Sequence, residues 1–222
     1  MTPFFNDGKE RWPARAAAVA AIATTAAVLA GCAGTPAAEH FYSLSAGVTP
    51  MAVAAATAPR AALAPAAPLY IELQAVSVPQ QVSRNQMVVT NGAGRVELLE
   101  QERWAAPLAS EIGQALSLGI TSELGAIDVF RTPTPEQATV YRISTSVQRF
   151  ESAPGQYALI DAVWSVRRVG SNAVLTCRTS AQEPVSAGYD ALVAGHRRAV
   201  ARISADISTA IRSLASGGSP SC

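Results

Sequence analysis

Residues 140–180 read VYRISTSVQRFESAPGQYALIDAVWSVRRVGSNAVLTCRTS, and this stretch decides the fold. Val140 to Phe150 alternates apolar and polar residues, the two-residue period of a strand with one buried face. Pro154-Gly155 supplies a turn, and Tyr157 to Val169 returns. Gly170-Ser171-Asn172 turns again, and Ala173 to Ser180 follows. Connections this short join antiparallel neighbours, so the stretch predicts a three-stranded meander.

Working outward, Tyr70 to Val78 (YIELQAVSV) repeats the half-buried alternation. Met87 to Thr90, Asn91-Gly92-Ala93-Gly94 and Val96 to Leu99 read as a hairpin, with Asn91-Gly92 tolerating the positive φ that its turn requires. The spacing of these glycines matches neither a Walker loop nor a dinucleotide fingerprint. Pro107 is placed to open a helix, Leu108, Ile112, Leu116 and Ile120 follow at four-residue steps, and Gly125 closes it. Ile127 to Phe130 is a short strand. A long helix is predicted over residues 188–215, where Val193, Val200, Ile207 and Leu214 recur every seventh position with Ile203 and Ala210 between them. His196 lies on that stripe, a position more usual for a packed histidine than for a catalyst. These elements give an α+β fold, an antiparallel-rich sheet with two helices packed on one face.

The N-terminus reads as a processing signal. Lys9, Arg11 and Arg15 precede an uncharged run of 15 residues from Ala16 to Ala30. That is shorter than the roughly 20 residues of a membrane-spanning helix and has the length and small-residue end of a signal h-region. Leu29-Ala30-Gly31-Cys32 matches the bacterial lipobox. The match implies cleavage between Gly31 and Cys32, with diacylglyceryl transfer to the Cys32 sulfur and acylation of its new amino group. Ala33 after the cysteine, where an inner-membrane lipoprotein typically carries aspartate, points to the outer membrane. The expected organisation is a signal at 1–31, a lipidated cysteine and Ala/Pro-rich tether at 32–68, a domain at 69–215 and a tail at 216–222. Within the tether, Phe41-Tyr42 is either an unstructured patch or a short strand added to the main sheet.

Charge and cysteine content narrow the function. After Cys32, 14 arginines face 14 acidic residues, and a neutral domain has no field to attract nucleic acid. Cys177 and Cys222 either form a disulfide, as an oxidising compartment permits, or are a buried thiol and a tail thiol. No zinc-ligand spacing, nucleophile elbow or metalloprotease helix occurs, so the reading contains no catalytic residue, no metal and no cofactor beyond the covalent lipid. Glu97, Glu100 and Glu102, beside Arg95 and Arg103, read as a solvated edge.

Three stretches carry a family resemblance: Val76-Ser77-Val78-Pro79, Ser83-Arg84-Asn85-Gln86-Met87-Val88 and Arg103-Trp104-Ala105-Ala106-Pro107-Leu108. Their progression, V-x-V-P, R-x-Q-(I/M)-V, R-W-(A)-x-P-L, resembles the ABC-type transport auxiliary lipoproteins, the PqiC-like group. Gln148-Arg149-Phe150-Glu151, Ala162-Val163-Trp164 and Tyr189-Asp190-Ala191-Leu192-Val193-Ala194 are similar to later family motifs, and Phe41-Tyr42-Ser43-Leu44 resembles the family's short aromatic motif after the tether. Gln80-Gln81-Val82 departs from the aromatic-leucine pair that relatives often carry. The resemblance implies a lipoprotein at the periplasmic face of the outer membrane, docking an MCE-domain protein of an ABC-driven lipid conduit and acting without catalysis. Such a subunit works with its partner or as a homo-oligomeric ring. The alternatives are a stand-alone lipid carrier or assembly chaperone, and then an envelope hydrolase. Arg84, Gln86, Arg103 and Trp104 are the candidate partner-binding residues. The Arg103-Trp104 pair has hot-spot composition, but equally suits a structural corner with a buried Trp104.

Overall fold

A computed structural model describes residues 37–47, 68–91, 94–219 and 221–222. The signal, Gly31, Cys32 and residues 48–67 of the expected tether lie outside the described residues. Every described strand and helix belongs to the second of two units, Glu39–Cys222. In chain order the elements are β1 (His40–Tyr42), β2 (Tyr70–Leu73), a 3-10 turn (Gln80–Val82), β3 (Gln86–Thr90), β4 (Val96–Trp104) and α1 (Leu108–Leu124). They continue with β5 (Ile127–Asp128), β6 (Val140–Ala153), β7 (Tyr157–Arg168), β8 (Leu175–Pro184) and α2 (Tyr189–Ala215).

The strands form two sheets, one ordered β1-β4-β3 and one ordered β5-β2-β6-β7-β8. The fold is α+β with mostly antiparallel pairing. In the larger sheet the meander β6-β7-β8 is antiparallel throughout, while β2 runs parallel to both β5 and β6. Parallel neighbours need a crossover, and α1 supplies the one between β2 and β5. Along β6 and β7, Val147, Phe150 and Ser152 stand opposite Ala162, Ile160 and Ala158. The helices cover this face. A Cβ at Gly195 of α2 would press into the Val185 side chain and lie 3.0 Å from the Ala158 Cβ, so glycine lets the helix approach the sheet closely.

Both helices follow the periodicity of their sequences. Leu108, Ile112, Leu116 and Ile120 of α1 are buried, as are Val193, Val200, Ile203, Ile207 and Ala210 of α2. Gly125 ends α1 in the left-handed conformation at φ 60°, where its N–H donates to the Thr121 carbonyl. The two helices cross where a Cβ on Gly119 would lie 3.0 Å from the Ser204 Cβ. Asp190 in the first turn of α2 and Arg212 in its last complement the helix dipole.

The short strand at 40–42 exists but joins the smaller sheet rather than the main one, parallel to β4 with His40 opposite Glu102 and Tyr42 opposite Trp104. The segment that follows is fastened from two sides. Leu44 is fully buried, and its N–H donates to the buried Glu111 carboxylate at 2.7 Å while the Ser43 hydroxyl donates to the same oxygen at 2.8 Å. From α2, the Arg197 guanidinium donates twice to the Ser43 carbonyl, at 3.0 and 2.7 Å. Residues 39–45 therefore pack as part of the domain.

The core contains an aromatic cluster with a histidine in it. Phe150 of β6 stacks on His196 of α2 at 4.1 Å, and Trp104 meets both edge-on at 5.9 and 6.2 Å. His196 is fully buried; its Nε2 is 2.8 Å from the Ser152 hydroxyl, and its Nδ1 has no hydrogen-bond partner. Burial pushes its pKa down to about 3. A second hydrogen-bond chain runs from the buried Trp164 indole N–H to the Thr179 hydroxyl at 3.0 Å and on to the exposed Asp206 carboxylate at 2.7 Å, tying β7 and β8 to α2. Cys177 of β8 is disulfide-bonded to Cys222, with their Cα atoms 5.5 Å apart.

Two consequences are measurable. Glu111→Ala strands the buried Leu44 N–H, an unsatisfied donor that costs about 1–3 kcal/mol. Urea unfolding should register that loss, and limited proteolysis should newly cut between residues 39 and 47. His196 stays neutral in the folded protein down to about pH 3, whereas the unfolded chain protonates it near its ordinary value of about 6.5. Stability is thus full above pH 6.5 and declines on acidification, with a slope of at most about 1.4 kcal/mol per pH unit from this residue. His196→Gln should remove that contribution when unfolding midpoints are compared between pH 4 and 7.5.

Candidate functional site

The three-stranded sheet carries the sequence-predicted residues. Along β3, Met87 and Val89 are buried, while Gln86, Val88 and Thr90 point to the other face. Cross-strand partners share a face, so Leu98 and Val96, opposite Val88 and Thr90, lie on that outer side too. They are 39% and 53% exposed. Uniform alternation onward from Leu99 would turn Arg103 inward and Trp104 outward. A bulge prevents this: the register steps from Met87↔Leu99 to Gln86↔Arg103, inserting extra residues in β4. Bulges of this kind re-aim side chains. Here the inserted residues reverse the phase, so Arg103 faces outward beside Gln86 and Trp104 turns into the core.

Two of the four predicted residues, Gln86 and Arg103, therefore share one face. Gln86 and Arg103 are register partners, and exposed Arg84 lies two residues before Gln86. Phe41, opposite Arg103 on β1, adds an exposed aromatic ring to the same face. Trp104 is the exception. At 2% exposure, it takes the structural-corner role and is not presented to a partner. Its backbone N–H donates to the Asn85 carbonyl at 2.7 Å, closing the corner from which β3 and the 83–85 loop depart.

The electrostatics of this end are largely self-contained. The Arg103 guanidinium lies 3.2 Å from the Glu39 carboxylate, and its Nε donates to the Glu100 carbonyl at 2.8 Å. On the inner side, Glu102 accepts a hydrogen bond from the Tyr42 hydroxyl at 2.7 Å and sits 2.9 Å from His40 Nδ1. Burial works to raise the Glu102 carboxyl, but the hydrogen bonds from Tyr42 and His40 outweigh it and hold the group below its ordinary value. Burial and then the Glu102 contact push the Tyr42 hydroxyl up. Glu102 is thus a bracket for β1 rather than part of a solvated edge. Sequence reading missed this because its partners lie about 60 residues away.

The arrangement suits binding. Ser152 and His196 form a serine–histidine contact, but both are buried. Among the described residues, no group of three or more His, Cys, Asp or Glu could hold a metal ion, and no helix is long and apolar enough to cross a membrane. Two recesses among the described residues are open grooves. One of about 540 Å³ lies between β2 and α1 beside Asp128 and Arg131, and another of about 640 Å³ lies beside Gln137 and Arg168.

Comparison with known proteins places this geometry. No curated protein matches the chain significantly. A crystal structure of an uncharacterized protein matches with a TM-score of 0.59 at 17% identity, covering 78% of this chain and 99% of the other. The crystal structure of protein XCC0632 from Xanthomonas campestris, described with the family model DUF330, matches with a TM-score of 0.50 at 17% identity. That alignment covers 64% of this chain and 82% of the other. These likenesses concern the fold. The family model described as ABC-type transport auxiliary lipoprotein component matches residues 51–208, most of the chain. With that match over β2 to α2, the chain belongs to the ABC-type transport auxiliary lipoprotein component family.

Proposed function

We propose that this protein is anchored by lipid on Cys32 to the periplasmic face of the outer membrane, where it docks an MCE-domain protein of an ABC-driven lipid transport system. The observation that carries this reading is the pairing of Gln86 with Arg103 on the outward face of the three-stranded sheet, with exposed Arg84 two residues before Gln86, in a chain whose family is a transport auxiliary. The lipobox Leu29-Ala30-Gly31-Cys32 followed by Ala33 supports the anchor and its membrane. The role is non-catalytic. Burial of the Ser152–His196 pair supports that view, since substrate has no route to it in this conformation.

Arg84 is the residue through which docking is best tested, because it is exposed and its removal costs the fold little. Arg103 already has partners in Glu39 and Glu100, so its loss weakens β1 as well as the face. The lipid-free domain from Ala33 onward should bind a purified MCE-domain protein from the same bacterium. Arg84→Ala should weaken that binding about tenfold or more with an unchanged urea midpoint, as loss of an interface arginine contributing above about 1.4 kcal/mol would. Native mass spectrometry of the same sample reports whether the domain assembles into a ring. Absence of binding, with stoichiometric lipid bound to the purified domain, would favour the stand-alone carrier instead.

A further inference from the structure

One edge of the five-stranded sheet is only partly covered. β5 is its outermost strand, and it pairs with β2 at Tyr70 and Ile71 alone. A last bond, from the Val129 N–H to the Ile71 carbonyl at 2.9 Å, ends the contact. The chain then turns away, with the Thr132 N–H donating to the Val129 carbonyl at 3.2 Å. β2 and its continuation go on. Leu73 to Val76 form one wall of the groove of about 540 Å³ whose other wall is α1.

The backbone on that side meets no strand among the described residues. Successive residues of a strand direct their polar groups to opposite neighbours. The Gln74 N–H is bonded to the Ile143 carbonyl of β6 at 2.9 Å, so Leu73 faces the other way, and its N–H reaches the Asp128 carboxylate at 3.4 Å. Ala75 is exposed, and among the described residues neither its N–H nor its carbonyl is hydrogen-bonded. An unpaired edge of this kind is a template for an added strand.

The groove is held in shape by its own residues. Besides Leu73, the Asp128 carboxylate accepts from the Phe130 N–H at 3.0 Å and from the Ser117 hydroxyl of α1 at 2.6 Å. These bonds fix the end of β5 to α1 and occupy both carboxylate oxygens. Gly113 of α1 lines the groove without contributing a side chain to it. At the mouth, Phe130 is 38% exposed. Arg131 lines the groove beside it, exposed, and makes no hydrogen bond or ion pair among the described residues. The uncompensated charge of the groove is therefore positive.

We propose that this groove binds an extended, acidic segment of a partner protein, added to β2 in line with β5. Backbone bonds to Ala75 hold the segment, an apolar side chain of it packs against Phe130, and a carboxylate meets Arg131. Four residues of edge span about 13 Å, so recognition is short. The groove belongs to the five-stranded sheet, whereas Gln86 and Arg103 belong to the three-stranded one. The inference therefore stands apart from docking at that face.

The test uses the protein purified from membranes in mild detergent and two dye-labelled peptides of about eight residues, the length of an ordinary strand. One alternates valine with glutamate, the other valine with lysine. Fluorescence anisotropy should show the glutamate peptide binding about tenfold more tightly. Arg131→Glu should reverse that preference. Gly113→Leu, which fills the groove from a helical position suited to leucine, should abolish binding of both peptides. Hydrogen exchange of residues 73–76 should slow when the glutamate peptide is added. Thermal melting checks that each variant is folded, and Arg131→Glu, at an exposed site, keeps the test decisive if Gly113→Leu is not. No binding up to about 1 mM, or a preference that Arg131→Glu leaves unchanged, overturns the proposal. Slow exchange of residues 73–76 without peptide also overturns it, by placing a segment of this chain or a second copy on the edge.

Discussion

Trp104 joins the two sheets and the long helix. Its ring meets Phe150 from the five-stranded sheet and His196 from α2, and it lies there because the β4 bulge reverses the side-chain phase between Leu99 and Arg103. Without that reversal the indole would face solvent, and the three-stranded sheet would lose this buried contact with the rest of the domain. The same step brings Arg103 out beside Gln86. One irregularity in a strand thus sets both the seating of the smaller sheet and the composition of its exposed face.

The cluster also explains why a serine–histidine contact here is part of the packing. His196 is stacked, fully buried and held neutral by desolvation, and its hydrogen bond to Ser152 satisfies one ring nitrogen inside the core. A buried imidazole is tolerable when it stays uncharged, at the cost of stability in acid. The outer side of the sheet has different chemistry. Asp161, almost fully buried, is hydrogen-bonded by the Arg178 guanidinium, which holds its carboxyl below the ordinary carboxylate value. Apolar packing on the helix side and paired charges on the other let one sheet have a sealed core and a wet surface.

The N-terminal segment connects this architecture to function. Glu111 from α1, Arg197 from α2 and Glu102 from β4 converge on residues 40–44, and they do so through backbone groups as well as side chains. A strand so held is part of the domain and not of a free tether.

Much of the molecule was legible in the sequence. Strict alternation from Val140 onward with Pro-Gly and Gly-Ser-Asn turns leaves little but a meander, and the four- and seven-residue apolar steps of Leu108–Ile120 and Val193–Leu214 leave little but two helices on one sheet face. These signals are local: each follows from the period of an element and the residues that end it. The tertiary structure alone decided that Phe41-Tyr42 joins a second sheet, that Glu102 serves as a bracket, that Trp104 turns inward, and that Cys177 meets Cys222. Each depends on a partner between about 45 and 62 residues away in sequence, or on a bulge that leaves the composition of its strand unchanged. Period and propensity report which face of an element is apolar. They do not report what lies opposite it, because that is settled by the packing of distant segments.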